Sequence, residues 1–255
     1  MGKIKTASEI AVMRQAGRVV AQALAAVRNH AAVGVSLREL DTVAATVFAD
    51  AGAVPAFLNY QPRWAPLPFP GVICASVNDA VVHGIPNGYK LADGDLVSID
   101  AGAFLDGWCG DSAISFTVGE GSAADLALIA ATDAALARGI DAARIGNTMG
   151  HIGYAIEKQA RSAGYGLLAD HGGHGIGRAM HEEPPVPNEG RPGRGMKLVE
   201  GLVIAIEPML IAGGNDDYQH DADGWTLRSL KGRRAAHSEH TIAITADGPV
   251  ILTLP

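Results

Sequence analysis

Residues 98–111, SIDAGAFLDGWCGD, decide the fold because they predict a β-hairpin. Asp106-Gly107 at their centre is a dipeptide that two-residue hairpin turns favour, and apolar residues flank it on both sides. In the register that this turn sets, Asp100 faces Ala113 on the returning strand, and Asp111 lies two residues from Ala113. Side chains two residues apart along a strand share a face, so Asp100 and Asp111 form a diagonal pair, about 7 to 8 Å apart at Cα.

Four acids and one histidine lie where an unpaired charge would be costly. Asp100 ends the apolar run at 96–99, Glu207 ends the run at 203–206, and both runs predict buried strands. A buried carboxylate must be paired, bound to a metal or protonated. Two carboxylates on one face repel each other unless cations join them, and paired metal ions about 3.5 to 4 Å apart would fit between them. The set therefore predicts the ligands of a two-metal hydrolase: Asp100, Asp111, His174, Glu207 and Glu239.

Each of these five residues also has an ordinary structural explanation. Asp111 and Glu239 alone could be solvated surface charges, and Asp100 could be a hydrogen-bonded structural acid. Glu207 could simply end its strand, and His174 could be a polar residue of a glycine-rich loop. A shared site is favoured because all five fall at apolar strand ends or glycine-rich bends, in a chain with only 18% charged residues.

Five motifs follow one another along nearly the whole chain. In order they are VHGIP (82–86), the hairpin sequence at 98–111, GHGIG (173–177) followed by HEEP (181–184), IEPM (206–209) and SEHT (238–241). In sequence and in order they resemble type I methionine aminopeptidase. The resemblance implies an α+β pita-bread fold, with an antiparallel sheet covered by helices and a pseudo-twofold internal duplication. It also implies removal of the initiator methionine from nascent proteins and peptides, preferably when the second residue is small.

The resemblance assigns roles to residues around the predicted metal pair. It implies that the five ligands hold two divalent ions, and their oxygen-rich chemistry suits Co, Mn, Fe(II) or Zn. It implies that Glu207 also exchanges protons with the attacking water, and that His83 and His181 contact the scissile amide or the developing oxyanion. Taken alone, His83 would be an ordinary turn residue and His181 a solvated one.

A methionine pocket follows from the same resemblance. Its walls would be soft and aromatic side chains that suit a thioether, namely Phe57, Tyr60, Cys74, His83, Met180 and Trp225. Without the resemblance, core packing would explain the aromatic and methionine members of this set. Two features depart from the family pattern. The proline-rich sequence QPRWAPLPFP at 61–70 replaces a shorter segment, and Cys109 stands where many members have histidine.

The predicted elements repeat once along the chain. Capping boxes that begin at Thr6 and Ser36 predict helices at about 7–30 and 37–52, and strands follow to about 118. Ser122 begins a predicted helix that ends at about 138, a second helix covers about 148–163, and strands follow from about 167. We expect one catalytic domain over 1–255, with half-repeats at about 1–120 and 121–255 and the site between them.

Composition and charge narrow the class of protein. With 48% hydrophobic residues and no apolar run of about 18 or more, the sequence predicts a soluble cytoplasmic enzyme without a secretory signal or membrane span. The net charge of −7 argues against specific or general nucleic-acid binding. Cys74 and Cys109 show no disulfide or zinc pattern, so both are expected to be reduced. We expect a monomer.

A basic cluster close to the last motif is the candidate partner surface. It consists of Arg228, Lys231, Arg233 and Arg234. In the family a basic loop helps the enzyme dock at the ribosomal tunnel exit, so the resemblance makes this cluster a candidate ribosome contact. A solvated surface loop is the alternative explanation.

Two other functions remain open at this point. One is an enzyme like Xaa-Pro aminopeptidase, which usually carries an additional N-terminal domain, and we expect 255 residues to leave no room for one. The other is a non-catalytic pita-bread binding protein, whose signature would be the loss of metal ligands. All five candidate ligands are present in this sequence.

Overall fold

Pairs of helices and runs of strands alternate along the chain. The computed structural model describes residues 2–168 and 170–255, so Met1 and Ala169 of the predicted domain lie outside the described residues. The helices are α1 (Ala7–His30), α2 (Leu37–Asp50), α3 (Ala123–Ala142) and α4 (Met149–Ser162). Among the helices of the described ranges, none combines the length and apolar character that a membrane crossing requires.

Strands fill the segments between and after the helix pairs. Before α3 they are β1 (Val54–Pro55), β2 (Ile73–Val77), β3 (Ala80–Val82), β4 (Leu96–Leu105) and β5 (Trp108–Thr117). After α4 they are β6 (Gly166–Leu167), β7 (Gly172–Gly175), β8 (Glu182–Pro187), β9 (Val203–Ile206), β10 (Met209–Ile211), β11 (Tyr218–His220), β12 (Leu227–Ser229), β13 (Ala235–His237), β14 (Glu239–Thr245) and β15 (Gly248–Ile251).

One large antiparallel sheet joins strands from both parts of the chain. Within the described residues it has nine strands in the order β1-β4-β5-β14-β9-β7-β8, with β2 also paired to β4 and β15 to β14. Two smaller sheets have the orders β13-β10-β6 and β11-β12-β3. The junction between the parts is the pairing of β5 with β14, where Ala113 lies opposite Glu239.

The β-hairpin predicted from residues 98–111 is confirmed. β4 and β5 pair along their whole length, with Asp100 opposite Ala113 and Asp111 opposite Gly102. The turn residues Asp106 and Gly107 have φ angles of 51° and 74°, the left-handed pair that a type I′ turn requires. Because alternate residues share a face, Asp100 and Asp111 project from the same side of the sheet.

Side-chain caps begin the first two helices where the sequence predicts them. The hydroxyl of Thr6 accepts from the backbone N–H of Glu9, and the Glu9 carboxylate accepts from the backbone N–H of Thr6. Ser36 and Glu39 form the same reciprocal pair at the start of α2. Such pairs satisfy backbone donors that a helix start otherwise leaves unbonded. The predicted start of both helices is confirmed.

The predicted end of α3 near residue 138 is wrong, because the helix continues to Ala142. Gly139 lies inside the helix rather than after it. A Cβ at this position would come within 2.9 Å of Ile156 on α4 and 3.1 Å of Ile206 on β9. The glycine therefore permits close packing between α3 and its neighbours, and this packing outweighs its low helix propensity.

The helix pairs cover one face of the large sheet with two hydrophobic cores. α1 and α2 share a core with alternate residues of β4, including Ile99 and Ala101. α3 and α4 share the other core with alternate residues of β9 and β14, including Ile206 and Ile242. The residues between them project from the opposite face. That opposite face carries Asp100 and the other candidate ligands.

Candidate active site

The five predicted ligands come from five adjacent strands of the large sheet. In sheet order they are Asp100 on β4, Asp111 on β5, Glu239 on β14, Glu207 directly after β9, and His174 on β7. All five side chains line one cavity. The sheet thus brings together residues that are up to 139 positions apart in the sequence, from Asp100 to Glu239.

Glycines on both sides of His174 fix its strand against the neighbouring strands. A Cβ at Gly173 would lie 2.1 Å from the carbonyl oxygen of Ala205 on β9, and one at Gly175 would lie 2.3 Å from that of Glu183 on β8. Only glycine tolerates so close a backbone approach at these positions. The approach holds the buried imidazole of His174 over the same cavity as the four acids.

The spacing of donor atoms suits a shared cation better than direct hydrogen bonds. Nε2 of His174 lies 3.8 Å from Oδ2 of Asp111 and 3.7 Å from Oε1 of Glu207. Both distances exceed hydrogen-bond length, whereas two ligands at about 2.1 Å from one metal ion are about 3 to 4 Å apart. Asp111, His174 and Glu239 also offer ligand atoms within 4.8 Å of one another.

Burial raises the pKa values of the four acids of the cavity more than any hydrogen bonds lower them. It is the main reason that the pKa of Asp100 is raised to about 7. It also raises the pKa values of Asp111, Glu207 and Glu239 well above their usual range, with mutual repulsion adding to the effect. Asp100, Asp111 and Glu239 each have a buried oxygen without a hydrogen-bond partner among the described residues. Cations would satisfy these oxygens, so the donor set fits a metal site.

A second histidine near the metal site was not predicted from the sequence. Nε2 of His237 lies 3.7 Å from Oε2 of Glu207 and 3.9 Å from Oε2 of Glu239. These three residues form a second group whose ligand atoms lie within 4.8 Å of one another. The sequence does contain one indication that His237 belongs to the site, because it lies two residues before Glu239. In an extended chain, residues two apart project from the same face.

The six residues predicted to form a methionine pocket line the same cavity of about 300 Å³ as the candidate ligands. Phe57, Cys74, Met180 and Trp225 are buried around it, while Tyr60 is only partly buried. Three further lining residues were missed, Pro62, Trp64 and Phe69. All three belong to residues 61–70, which have no regular periodicity that could have shown which side chains face inward.

His83 and His181 both line the cavity. The ring of His181 lies 4.1 Å from that of His174, and its Nδ1 is 3.1 Å from the hydroxyl of Tyr60. Desolvation lowers the pKa of His83 to about 4, and desolvation together with nearby His174 and His83 lowers the pKa of His181. Both imidazoles are therefore neutral at physiological pH. Nδ1 of His83 is buried and lacks a hydrogen-bond partner within the described part of the chain.

Residues 61–70, here called the lip segment, fold over the aromatic side of the cavity. The backbone N–H of Phe69 donates to the carbonyl of Tyr60, and the indole N–H of Trp225 donates to the carbonyl of Leu67 at 2.9 Å. Phe69 is buried, and its ring makes an edge contact with Trp225 at 5.1 Å. The lip segment is therefore anchored to the pocket wall.

The two cysteines are poor candidates for reactive thiols. Both are free and buried. Burial is the first cause of a strongly raised pKa in each, and the nearby carboxylates Asp100 and Asp111 add to it for Cys74, as do Asp111 and Glu239 for Cys109. Since the thiolate is the reactive form, neither side chain has the chemistry of a nucleophile.

Comparison with known proteins decides the family. The sequence pattern of metallopeptidase family M24 matches residues 11–246. The chain belongs to this family. Membership in family M24 makes the chain a metal-dependent peptidase, and together with the two groups of candidate ligands it supports the use of divalent metal.

Relatives from several bacteria confirm the resemblance that the motifs predict. Methionine aminopeptidase 1 of Mycobacterium tuberculosis is 51% identical over 257 residues, covering 98% of this chain and 94% of that protein. The crystal structure of methionine aminopeptidase from Rickettsia prowazekii has a TM-score of 0.95 and 39% identity, with 100% of both chains covered. The prediction of a pita-bread fold is likewise confirmed.

A more distant M24 structure bears on the alternative functions. Prolidase from Pyrococcus furiosus has a TM-score of 0.79 and 25% identity, and it is matched over 99% of this chain but only 65% of its own. The shared part has the same fold. Because the methionine aminopeptidases match over nearly their whole length, the Xaa-Pro aminopeptidase alternative and the non-catalytic alternative are not favoured.

Proposed function

We propose that the protein removes the N-terminal methionine from nascent proteins and peptides, preferably when the second residue is small. The observation that carries this proposal is the convergence of five candidate ligands from five adjacent strands beside an apolar cavity of about 300 Å³. Relatives named methionine aminopeptidase, matched over nearly their whole length, support the substrate.

Two divalent ions would be held by the side chains of Asp100, Asp111, His174, Glu207 and Glu239. Four carboxylates and one imidazole form a mostly hard ligand set, which suits Co, Mn, Fe(II) or Zn. When bound, such ions lower the pKa of a water molecule and polarise a peptide carbonyl. Asp111 and Glu239 lie on the central strands β5 and β14, between the proposed ligands from the outer strands of the site.

Glu207 is the proposed proton carrier. Its side chain remains 16% exposed, more than those of Asp111 and Glu239, so it is accessible from the cavity. A carboxylate in this position can take a proton from the attacking water and return it to the leaving amine. The hydrogen bond that Asn188 donates to the backbone carbonyl of Glu207 keeps the residue in place.

His83 and His181 are proposed to hold the scissile amide from opposite sides. Both are neutral, so each ring can donate one hydrogen bond and accept one. The buried Nδ1 of His83 is without a partner in the described residues, which is costly unless another group occupies it. A developing oxyanion would be stabilised most strongly by donors that are already in place, as these two rings are.

The side chain of the N-terminal methionine is proposed to enter the apolar part of the cavity. Phe57, Cys74, Met180 and Trp225 would surround its thioether, and Tyr60 would close the outer side. Aromatic edges and a polarisable sulfur make favourable contacts with such a group. None of these residues carries a formal charge that could pair with a charged side chain.

Mass spectrometry of two kinds of peptide tests the proposal. Protein loaded in turn with Mn, Fe(II), Co or Zn is incubated with Met-Ala-Ser and with an Xaa-Pro peptide. We expect loss of methionine from Met-Ala-Ser and no cleavage of the Xaa-Pro peptide. If Met-Ala-Ser stays intact with every metal, the proposed function is wrong. Counting bound ions in the same samples tests the proposed two per chain.

We also propose a cytoplasmic monomer whose basic cluster contacts the ribosome. Arg228 pairs with Asp79 at 2.8 Å and with Asp221 at 2.6 Å, so its charge is partly neutralised within the fold. Lys231 is exposed and has a φ of 63°. Exchange of Lys231 for glutamate should therefore weaken cosedimentation with ribosomes, and should leave peptide cleavage unchanged.

A further inference from the structure

We propose that Trp64 of the lip segment is a specificity-determining residue, and that it binds the side chain of the third residue of the substrate with a preference for apolar groups. This inference rests on the proposed function, because it assumes that methionine occupies the cavity described above. It concerns a part of the substrate that neither the metal centre nor the methionine pocket contacts.

Two cavities meet at Trp64. The first is the cavity of about 300 Å³ that holds the candidate ligands and the pocket residues. The second is an adjoining groove of about 550 Å³. Four residues line both of them, namely Trp64, His83, His181 and Glu207. The scissile bond lies at this junction if His83 and His181 hold the amide.

The groove is the path for the rest of the substrate. Methionine fills the first cavity, whose apolar walls Phe57, Cys74 and Met180 are buried. The following residues must then leave through the groove, where His220 is exposed and Tyr218 is partly exposed. The direction of the peptide is thereby fixed, with its scissile amide beside His83 and the second and later residues further out.

The position of Trp64 indicates which substrate residue it contacts. Its ring is stacked on that of His83, with 6.1 Å between the ring centroids. An extended peptide advances about 3.3 to 3.6 Å per residue, so this distance, counted from the scissile amide at His83, spans about two residues. The side chain that meets the indole is therefore that of the third residue.

The lip segment holds Trp64 in place before any peptide binds. The indole makes an edge contact with Trp225 at 5.0 Å, while its neighbour Ala65 is buried and donates to the carbonyl of Pro62. The four prolines of the lip segment limit its backbone freedom. Trp64 nevertheless remains 57% exposed. A fixed, exposed indole loses little entropy when it binds a partner.

The chemistry of the groove near Trp64 favours an apolar partner. Pro66 lines the groove together with Trp64, and so do the buried side chains of Val82, Met209 and Leu227. No lysine or arginine lines it within the described residues. An apolar or aromatic third residue would remove its own surface and that of the indole from water.

Cleavage of Met-Ala-Phe-Ser and Met-Ala-Ser-Ser by metal-loaded protein tests the inference. For the unchanged protein we expect a KM about tenfold lower for the phenylalanine peptide than for the serine peptide, with similar kcat. A tenfold lower KM corresponds to roughly 40 to 60 Å² of additional apolar burial. In Trp64→Ala the ratio of the two KM values should fall below about two. Trp64→Phe should keep most of the preference, because an aromatic surface remains.

Leu67→Ala is the matched control, since Leu67 is an exposed apolar residue of the same segment that lines neither cavity. It should keep the preference. Equal KM values for the unchanged protein, or a preference that survives in Trp64→Ala, would overturn this inference while methionine release still upheld the proposed function. If neither peptide loses methionine with any of the four metals, the proposed function fails and this inference fails with it.

Discussion

The metal centre and the lip segment are built in opposite ways although they line the same cavity. Each candidate ligand sits on or directly after a strand whose neighbours are also strands of the large sheet. The lip segment belongs to no strand and is held by a few bonds, such as that between Trp225 and the carbonyl of Leu67. The candidate metal ligands, whose positions must be exact, lie on paired strands with a rigid backbone. The residues that contact variable substrates lie on a loop. A change in the lip segment can therefore alter specificity without moving the ligands.

Loss of one central ligand should have the largest effect. Asp111→Ala is expected to lower both metal content and methionine release, the latter by about a thousandfold or more, because the variant lacks one of the five proposed metal ligands. Metal analysis after dialysis and peptide cleavage measure the two effects. Asp50→Ala removes an exposed acid at the end of α2 and should change neither. Full activity in Asp111→Ala would contradict the two-metal assignment.

Removal of His181 should reduce turnover and leave the metals bound. His181 contacts Tyr60 and the ring of His174, but it belongs to neither group of candidate ligand atoms. Loss of a donor to a developing oxyanion costs about a hundredfold or more in kcat. His181→Ala should therefore show this loss with unchanged metal content, and exposed His30→Ala should show neither change. Lost metal or a normal kcat would argue against the assigned role.

Without metal, the protein should become less stable as the pH rises through neutrality. Burial raises the pKa of Asp100 to about 7 in the folded chain, from about 3.9 when unfolded. Between these values the folded state binds the extra proton, so the free energy of unfolding falls with rising pH, and this continues until the folded carboxyl has titrated. We expect the melting temperature in chelator to fall by about 2 to 6 °C between pH 6 and 8.

Asp100→Asn provides the control for this pH effect. Buried histidines with lowered pKa values, such as His83 and His237, change stability in the opposite direction below about pH 6.5. They remain in the variant, so the difference between the two proteins cancels their contribution and reports the Asp100 carboxyl together with its effect on the pKa values of Asp111, Glu207 and Glu239. The metal-free variant should melt at a higher temperature than the unchanged protein at pH 8. Equal melting temperatures of the two proteins between pH 6 and 8 would show that burial does not raise the pKa of Asp100.

The contrast between the two regions also explains what the sequence could predict. The hairpin of β4 and β5 follows from a turn dipeptide and a two-residue period, which are local signals. From them the shared face of Asp100 and Asp111 is predicted without any relative. The pairing of β5 with β14 joins segments more than a hundred residues apart, and no local pattern specifies it. A shared site with His174, Glu207 and Glu239 was favoured only by their positions at strand ends and glycine-rich bends, and the family resemblance then assigned them as ligands.

The lip segment lacks even local signals. Prolines at four of its ten positions remove backbone donors and prevent a regular alternation of apolar and polar residues. Its sequence therefore predicts an irregular loop but does not show which side chains face the cavity. The inward position of Phe69 depends on contacts with Phe57 and Trp225, which lie far apart in the sequence. The extension of α3 past Gly139 has a similar cause, since packing on α4 and β9 decided it.

The smallest expected effect comes from loosening the lip segment while keeping its aromatic contacts. Trp225→Phe retains a ring against Phe69 but removes the N–H that donates to the carbonyl of Leu67. One such hydrogen bond contributes about 0.5 to 1.5 kcal/mol, so the KM for Met-Ala-Ser should rise about threefold, with kcat and metal content unchanged. Amide hydrogen exchange in the lip segment should become faster.

Trp108→Phe is the control, because it replaces a buried ring outside the cavity with a smaller one. It should leave the KM and the rate of amide hydrogen exchange in the lip segment unchanged. If Trp225→Phe instead released metal, the lip segment and the metal centre would be one structural unit. A change in the lip segment could then not alter substrate specificity without also disturbing the metal ligands.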